Sequence, residues 1–215
     1  MQWKIWIWVP IVYGLFASWY FNWQGPLSDA EIESFISHLN AASEGEFTDQ
    51  DTMLRFLLED DGREFIMLNQ VELREGAIAH PLSGVKMPAS EMLYEYFGPF
   101  TWALFLRGGH PVFQARSVGG HVDTWNAENS ATFAVTAMMR YRSRRDVVQM
   151  VLDPAFTDGH KFKLAAIQRT ISYPTQIEMN SSMPPHIAVL VLLLLLASLA
   201  QNLAHARDRS QFSKS

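Results

Sequence analysis

The side chains with the widest chemical reach in this sequence are His160, His110, Asn69, three tyrosines and a run of arginines at 140, 142, 144 and 145. His160 shares a helical stripe with Phe156, Leu164 and Ile167, which turns its imidazole toward whatever that helix packs on. In a cleft, an imidazole there exchanges a proton near neutral pH or hydrogen-bonds a ligand. In a closed core it bonds a backbone carbonyl instead. The catalytic reading takes His160 as base, with Asn69 and Tyr96 holding the substrate. His110 follows Gly108-Gly109, where a bare backbone lets a ligand come close; a helix cap and the start of a strand is the plainer reading. Tyr94, Arg140 and Tyr141 complete the candidate ligand-binding set. The arginine run suits an anionic ligand or a lipid headgroup, and equally a solvated corner. His121 and Asp123 would share a strand face, but no third ligand stands at helpful spacing, so no metal is expected. No cofactor is expected either. The chain has no cysteine, which excludes disulfides, thiolate metal sites and a cysteine nucleophile. It also carries no phosphate loop, nucleophile elbow or zinc motif.

All these residues lie in the polar middle of the chain. The mean hydropathy is −0.02, yet the apolar residues gather at the two ends. Residues 27–180 hold 13 Lys and Arg against 21 Asp and Glu. Such a domain lacks the cationic face that displaces counterions from DNA or RNA, so no nucleic-acid partner is expected. Between Lys4 and Asp29 there is no charge, and the run Ile5 to Phe21 is flanked by Trp3, Trp6 and Trp8 at one end and Trp19, Tyr20 and Trp23 at the other. Amphipathic rings favour the two membrane interfaces. A second run, Ile187 to about Ala204, lies between Pro184-Pro185 and the basic Arg207, Arg209 and Lys214. At 1.5 Å per residue, each run with its flanks reaches across a hydrocarbon layer of roughly 30 Å. Two transmembrane helices, about 5–21 and 187–204, are therefore expected, with membrane lipid as a partner. A cleaved signal peptide and a buried core helix are the alternatives. Ala17-Ser18-Trp19-Tyr20 is a poor cleavage site, and the Leu-rich run is apolar on every face. The basic outer flanks place both termini in the cytoplasm and the middle domain across a bacterial inner membrane, in the periplasm.

The middle reads as helices and strands in a definite order. Ser28 and Glu31 form a capping box ahead of Ile32, Phe35, Ile36 and Leu39, and a second short helix runs from about Asp49 to Glu59. A strand alternates from Phe65 to Leu73, and residues 75–88 read as loop. Residues 89–107 are helical in period, with a kink or break expected at Gly98-Pro99. Strands follow at His110–Trp125 and Ala131–Tyr141. Ser143 caps a helix with Asp146 at the box position, Asp153-Pro154 opens another, and Arg169–Pro174 is the last strand. Without the first two helices the order is β-α-β-β-α-β, the split βαβ or ferredoxin-like arrangement, an α+β fold with a four-stranded antiparallel sheet and helices on one face. The regions are then 1–26 with the first span, 27–62 a helical extension, 63–178 the α/β domain, and 179–215 the second span and basic tail. The open sheet face needs a cover, and a second copy packed sheet against sheet is the usual one.

The stretch Leu57 to Asn69 (LLEDDGREFIMLN), Arg107-Gly-Gly-His-Pro-Val-Phe, Met139-Arg-Tyr-Arg-Ser-Arg-Arg-Asp, Asp153-Pro-Ala-Phe and His160-Lys-Phe-Lys-Leu-Ala-Ala together resemble an uncharacterised group of bacterial dimeric α/β-barrel domains. The resemblance covers roughly residues 28–175 and implies the ferredoxin-like fold and a homodimer. It leaves the reaction open, because the fold hosts many chemistries. Relatives in the wider superfamily include cofactor-independent monooxygenases, lactone isomerases and haem-handling enzymes. The terminal membrane helices depart from the soluble members. The preferred expectation is a non-catalytic, membrane-anchored module that dimerises, joins a membrane complex, or binds a partner or a small apolar ligand. The alternative is a cofactor-independent oxygenase or isomerase acting on a small hydrophobic substrate.

Overall fold

A computed structural model describes residues 4–42, 49–126 and 133–212. The loop read after the first soluble helix and the opening of the strand read from Ala131 fall outside those residues, as do Trp3 and Lys214. In chain order the elements are α1 (Lys4–Tyr20), α2 (Asp29–Ala42), α3 (Gln50–Leu58), β1 (Phe65–Leu73), β2 (Ala77–Ala79), β3 (Lys86–Pro88), α4 (Ala89–Leu106), β4 (His110–Arg116), β5 (Val135–Tyr141), α5 (Arg144–Val151), α6 (Pro154–Ala166), β6 (Ile167–Thr175) and α7 (Pro185–Phe212). They divide into two units: Met1–Trp23 with Glu178–Ser215, and Gln24–Ile177. The helical extension and the sheet therefore belong to one unit.

In the larger unit, four strands form one antiparallel sheet in the order β4-β5-β1-β6, and β2 pairs with β3 as a separate short hairpin. Alternation along the strands sorts the side chains onto two faces. Phe65 and Met67 of β1, with Ala137, Met139 and Tyr141 of β5, meet Tyr96, Phe100 and Leu104 of α4 and Val147 and Met150 of α5. This is the main core. On the opposite face, the register lines up Phe113, Met138, Leu68 and Tyr173 in one row across all four strands. Phe113 is 50% exposed and Tyr173 is 42% exposed. The layer of helices covers one side of the sheet only.

The caps form as their residue types dictate. Ser28 N–H donates to Glu31 Oε2 at 2.9 Å while Glu31 N–H reaches Ser28 Oγ at 3.4 Å, and Asp49 caps α3. Ser143 Oγ accepts from Asp146 N–H at 3.2 Å at the start of α5.

Four expectations about the elements of this larger unit are corrected. The strand from His110 stops at Arg116, because beyond Ser117 the residues 119–120 are a Gly pair with no side chains to pack on the sheet. Segment 75–88 is not all loop, since it carries the β2–β3 hairpin. The helix α4 runs unbroken through Pro99. Proline removes the amide donor for the Glu95 carbonyl, and in the next turn Thr101 Oγ1 donates to Phe97 O at 2.8 Å. Finally, α6 ends at Ala166, so Ile167 belongs to β6. Leu164 is 38% exposed, and α6 meets the core through the half-buried Phe156 and Phe162 and the buried Ala166.

In the smaller unit, α1 and α7 pack against each other. Val9, Leu193 and Ala197 are buried between them, with Ile5, Trp8, Tyr13 and Val189 around the edge. Trp6 Nε1–H donates to Gln201 Oε1 at 2.8 Å, and the Tyr20 and Phe21 rings lie 5.9 and 5.3 Å from His186. The pair is thus antiparallel, with the start of α1 and the second half of α7 side by side. Over Pro185–Arg207, α7 is long and apolar enough to cross a membrane. Among the described residues it is the one helix that is, where two were expected. At 17 residues, α1 is only about 26 Å long at 1.5 Å per residue.

Candidate functional site

The four arginines read as an anionic-ligand patch are spent on the fold. Arg140 is 3% exposed; its Nε–H donates to Glu64 Oε2 at 2.7 Å and its Nη1–H to Gly108 O at 2.6 Å. Arg142 grips Asp146 through Nε at 3.0 Å and Nη2 at 2.5 Å. Arg144 lies 3.6 Å from Asp60 and stacks 4.6 Å above the Phe56 ring, whose backbone carbonyl also accepts from it. Arg145 Nε–H donates to Glu31 Oε1 at 2.7 Å, and its other nitrogens reach Gly25 O and Pro26 O. The Arg145 guanidinium, helped by Ser28, holds the Glu31 carboxyl down to about 2. Asp60 completes the assembly by accepting from Leu27 N–H at 2.8 Å and Gly62 N–H at 3.1 Å. Gly62 has φ +74, and a Cβ there would stand 2.7 Å from Pro26 N. Together these groups clamp the helical extension to the corner between β5 and α5. Arg140 therefore leaves the candidate ligand set.

A second cluster lies where α4 packs on α6. Helical spacing puts Phe156, His160 and Lys163 on one side of α6, facing Tyr96 and Phe100 of α4. His160 stacks on Phe156 at 5.7 Å, and the Tyr96 ring is 6.3 Å from His160 and 5.3 Å from Phe100. Lys163 Nζ stands 5.7 Å from the centre of the Tyr96 ring. Burial lowers the His160 imidazole below its usual value, and the Lys163 charge lowers it further. Burial also lowers the Lys163 amine. Tyr96 and Tyr141 are pushed up by burial, Tyr96 a little more by its neighbour Tyr141, so both phenols keep their protons. Among the described residues, no carboxylate pairs with Lys163, and neither phenol donates a hydrogen bond. Here His160, Tyr96 and Tyr141 share one cluster. Lys163 was missed because a lysine in an amphipathic pattern reads as a solvent-facing residue.

The other candidates lie apart. Asn69 does face the helices, but its Nδ2 donates to Met67 O and Ala137 O, and its Oδ1 accepts from Ser172 Oγ at 2.7 Å. It ties strands together. Tyr94 is 73% exposed. His110 opens the edge strand β4, where its Nδ1–H donates to Pro111 O at 3.0 Å. His121 and Asp123 are exposed, and among the described residues no group of three could hold a metal.

Two hollows among the described residues of this unit bear on the site. One, of about 850 Å³, lies beyond the sheet end between Glu72, Arg74, Arg116 and His121. The other is an apolar groove of about 350 Å³ between α2 and α3. Neither is lined by His160, Asn69 or Tyr96.

No protein-family model matches this sequence, and no curated protein does. The chain is similar in structure to the crystal structure of RPA0582, a protein of unknown function from Rhodopseudomonas palustris. The TM-score is 0.52 at 19% identity, covering 62% of this chain and 97% of that one. The methylated form of RPA0582 gives a TM-score of 0.52 at 20% identity, over 63% of this chain and 96% of that one. At such identity the likeness speaks for the fold alone.

Proposed function

We propose that this protein is a membrane-anchored, ferredoxin-like module of the dimeric α/β-barrel type, whose open sheet face pairs with the same face of a second copy. The observation that carries this reading is the apolar row Phe113, Met138, Leu68 and Tyr173, with Ile171 beside it 47% exposed. Water-facing sheet surfaces alternate to polar side chains. Here four consecutive cross-strand neighbours on the uncovered side are all apolar or aromatic. Four strands about 4.8 Å apart, each seven residues long at about 3.3 Å, make a face of roughly 450 Å². Two such faces bring roughly 900 Å² together before side-chain relief is counted, near the roughly 1,000 Å² that a specific interface needs.

The anchor in this reading is the α1–α7 pair. The shorter α1 lies along α7, with its Trp6 indole bonded to the Gln201 amide. Leu15, Leu195 and Leu199 are all more than half exposed, which suits a lipid surround. Antiparallel packing puts both termini on one side, and Lys4, Arg207 and Arg209 mark that side as the cytoplasm. The sheet domain then stands in the periplasm, and its dimerisation brings two anchors together.

The test is the mass of the detergent-solubilised protein by light scattering, for the native chain and for the double variant Phe113→Glu, Met138→Glu. Native dimers and variant monomers with unchanged circular dichroism are expected. A monomeric native chain at micromolar concentration sinks the reading, as does a variant that still dimerises.

A further inference from the structure

The helix α4 changes character along its length. Its inner side is apolar throughout, with Met92, Tyr96, Phe100 and Leu104 buried. Its outer side begins with the exposed acids Glu91 and Glu95 and carries no further charge before Arg107, which is itself bonded to Asp153 at 3.0 Å. The last two turns direct Trp102, Phe105 and Leu106 outward, 62%, 47% and 57% exposed. Their spacing makes them neighbours on one helix face, and the Trp102 and Phe105 rings stack with centres 5.9 Å apart. Single apolar residues on a surface are ordinary, but three together around a tryptophan form a patch. The sheet dimer proposed above leaves it uncovered, since α4 packs on the other face of the sheet.

The position of the patch within the domain says what it meets. His110, Arg140, Ile66 and Thr175 form one row at one end of the sheet, and Arg140 Nη1–H donates to Gly108 O just after α4. The patch therefore stands at that end. The chain enters and leaves the domain there too. Arg145 holds Gly25 O and Pro26 O, Leu27 N–H donates to Asp60, and Gln176 Nε2–H donates to Asp61 at 3.1 Å, one residue beyond Thr175. Only residues 21–28 and 176–184 join the domain to α1 and α7. Even fully extended, such tethers reach about 30 Å. We propose that the Trp102, Phe105 and Leu106 face of α4 is a lipid-docking surface, which settles into the interface of the bilayer crossed by α7. The inference rests on the membrane-anchored reading above. Indole and phenyl rings favour that layer, and the tethers keep a bilayer within reach of the patch. Glu95, the nearest acid of the helix, stands about 10 Å along the axis from Trp102, so docking desolvates no carboxylate of α4.

The chain has no cysteine, so single cysteines can carry the fluorophore nitrobenzoxadiazole. The variants are Leu106→Cys in the patch, Val122→Cys in the exposed segment after β4 at the opposite end of the sheet, and Leu195→Cys on the exposed side of α7. Each full chain is reconstituted in phosphatidylcholine vesicles, and emission is compared with and without nitroxide-bearing lipid. Quenching by about half or more is expected at position 106, since an interfacial helix face settles roughly 5–10 Å into the headgroup boundary. Strong quenching at position 195 and none at position 122 are expected beside it. Adding Trp102→Ser and Phe105→Ser is expected to abolish the quenching at position 106 and to leave position 195 unchanged. Quenching at 195 without quenching at 106 overturns the docking surface alone, and disulfide-linked dimers through position 106 would then assign the patch to a second copy. Equal quenching at 106 and 122 also overturns it, as does quenching at 106 that survives the double substitution. Absence of quenching at 195 sinks the anchor reading, and this inference falls with it.

Discussion

Two places in this domain gather buried or half-buried cations, and they treat them in opposite ways. At the corner between β5 and α5, four arginines meet Glu64, Asp146, Asp60 and Glu31. In the seam between α4 and α6, Lys163 and His160 meet only rings. A buried charge is costly without a partner. The corner answers that cost with ion pairs and carbonyls, and the result is a rigid clamp. The seam's cations are only half-buried, and among the described residues none of their side-chain nitrogens is both buried and unbonded. The contrast takes the four arginines out of the search for a ligand site, since carboxylates of the fold already meet their charge.

The contrast breaks most visibly at Asp146. Its carboxylate is 3% exposed, accepts from Arg142 and from Ser143 Oγ, and opens α5. Asp146→Ala removes a buried charge and a cap together and is expected to cost about 3 kcal/mol, read from the urea midpoint of the detergent-solubilised protein. A loss below about 1 kcal/mol would mean that the clamp is an ordinary surface network.

Why the sequence reading favoured the arginines is a matter of range. Local rules serve well where partners are near: the Ser28–Glu31 box, the Ser143–Asp146 cap, and the alternation that sets the faces of β1 and β5 all span a few residues. The acids that neutralise the arginine run are distant, Glu64 76 positions before Arg140 and Glu31 114 before Arg145. Without them the run reads as a free basic patch. Lys163 fails in the reverse direction. Its charge suggests solvent, and only the packing of α4 on α6 puts the amine above Tyr96. The stripe through His160 was legible as a stripe, but its far end was misplaced, because the switch from α6 to β6 at Ala166 left Leu164 on the outside. The open sheet face was legible as a need for cover, and its apolar row follows from the strand register.

A pH series probes the clamp at Glu31. Its folded carboxyl sits at about 2 against an ordinary 4.5, so the unfolded chain binds the extra proton between those values. The pair's contribution is whole above about pH 5 and is lost as pH falls through that window. Because the side chain is 38% exposed, solvent screening keeps its worth near about 1 kcal/mol. Glu31→Gln is expected to lower stability by that amount at pH 7 and to flatten the slope between pH 5 and 2. An unchanged slope would place the acid sensitivity elsewhere.

On the seam side, Lys163→Met is expected to leave the protein as stable or up to about 1 kcal/mol more stable, since a methionine of like shape has no charge to desolvate. Stability is measured by thermal unfolding. Destabilisation of more than about 1 kcal/mol would show that the Tyr96 face already satisfies the ammonium, and the two regions would then differ in degree only.

The smallest effect is the sharpest test of the difference. Tyr141 is 6% exposed, its ring stacks on Phe65 at 5.3 Å, and its hydroxyl donates to no group among the described residues. A buried phenol with a bonded hydroxyl loses about 1 kcal/mol or more when cut to phenylalanine, because its partner is left unmet. An unbonded one loses nothing and gains a little from shedding a polar atom. Tyr141→Phe is therefore expected to change unfolding stability by less than about 0.5 kcal/mol, with the stacked ring pair intact. A larger loss would mean that an acceptor such as an internal water already occupies the seam. The donors there would then be serving the fold, as the arginines of the clamp do.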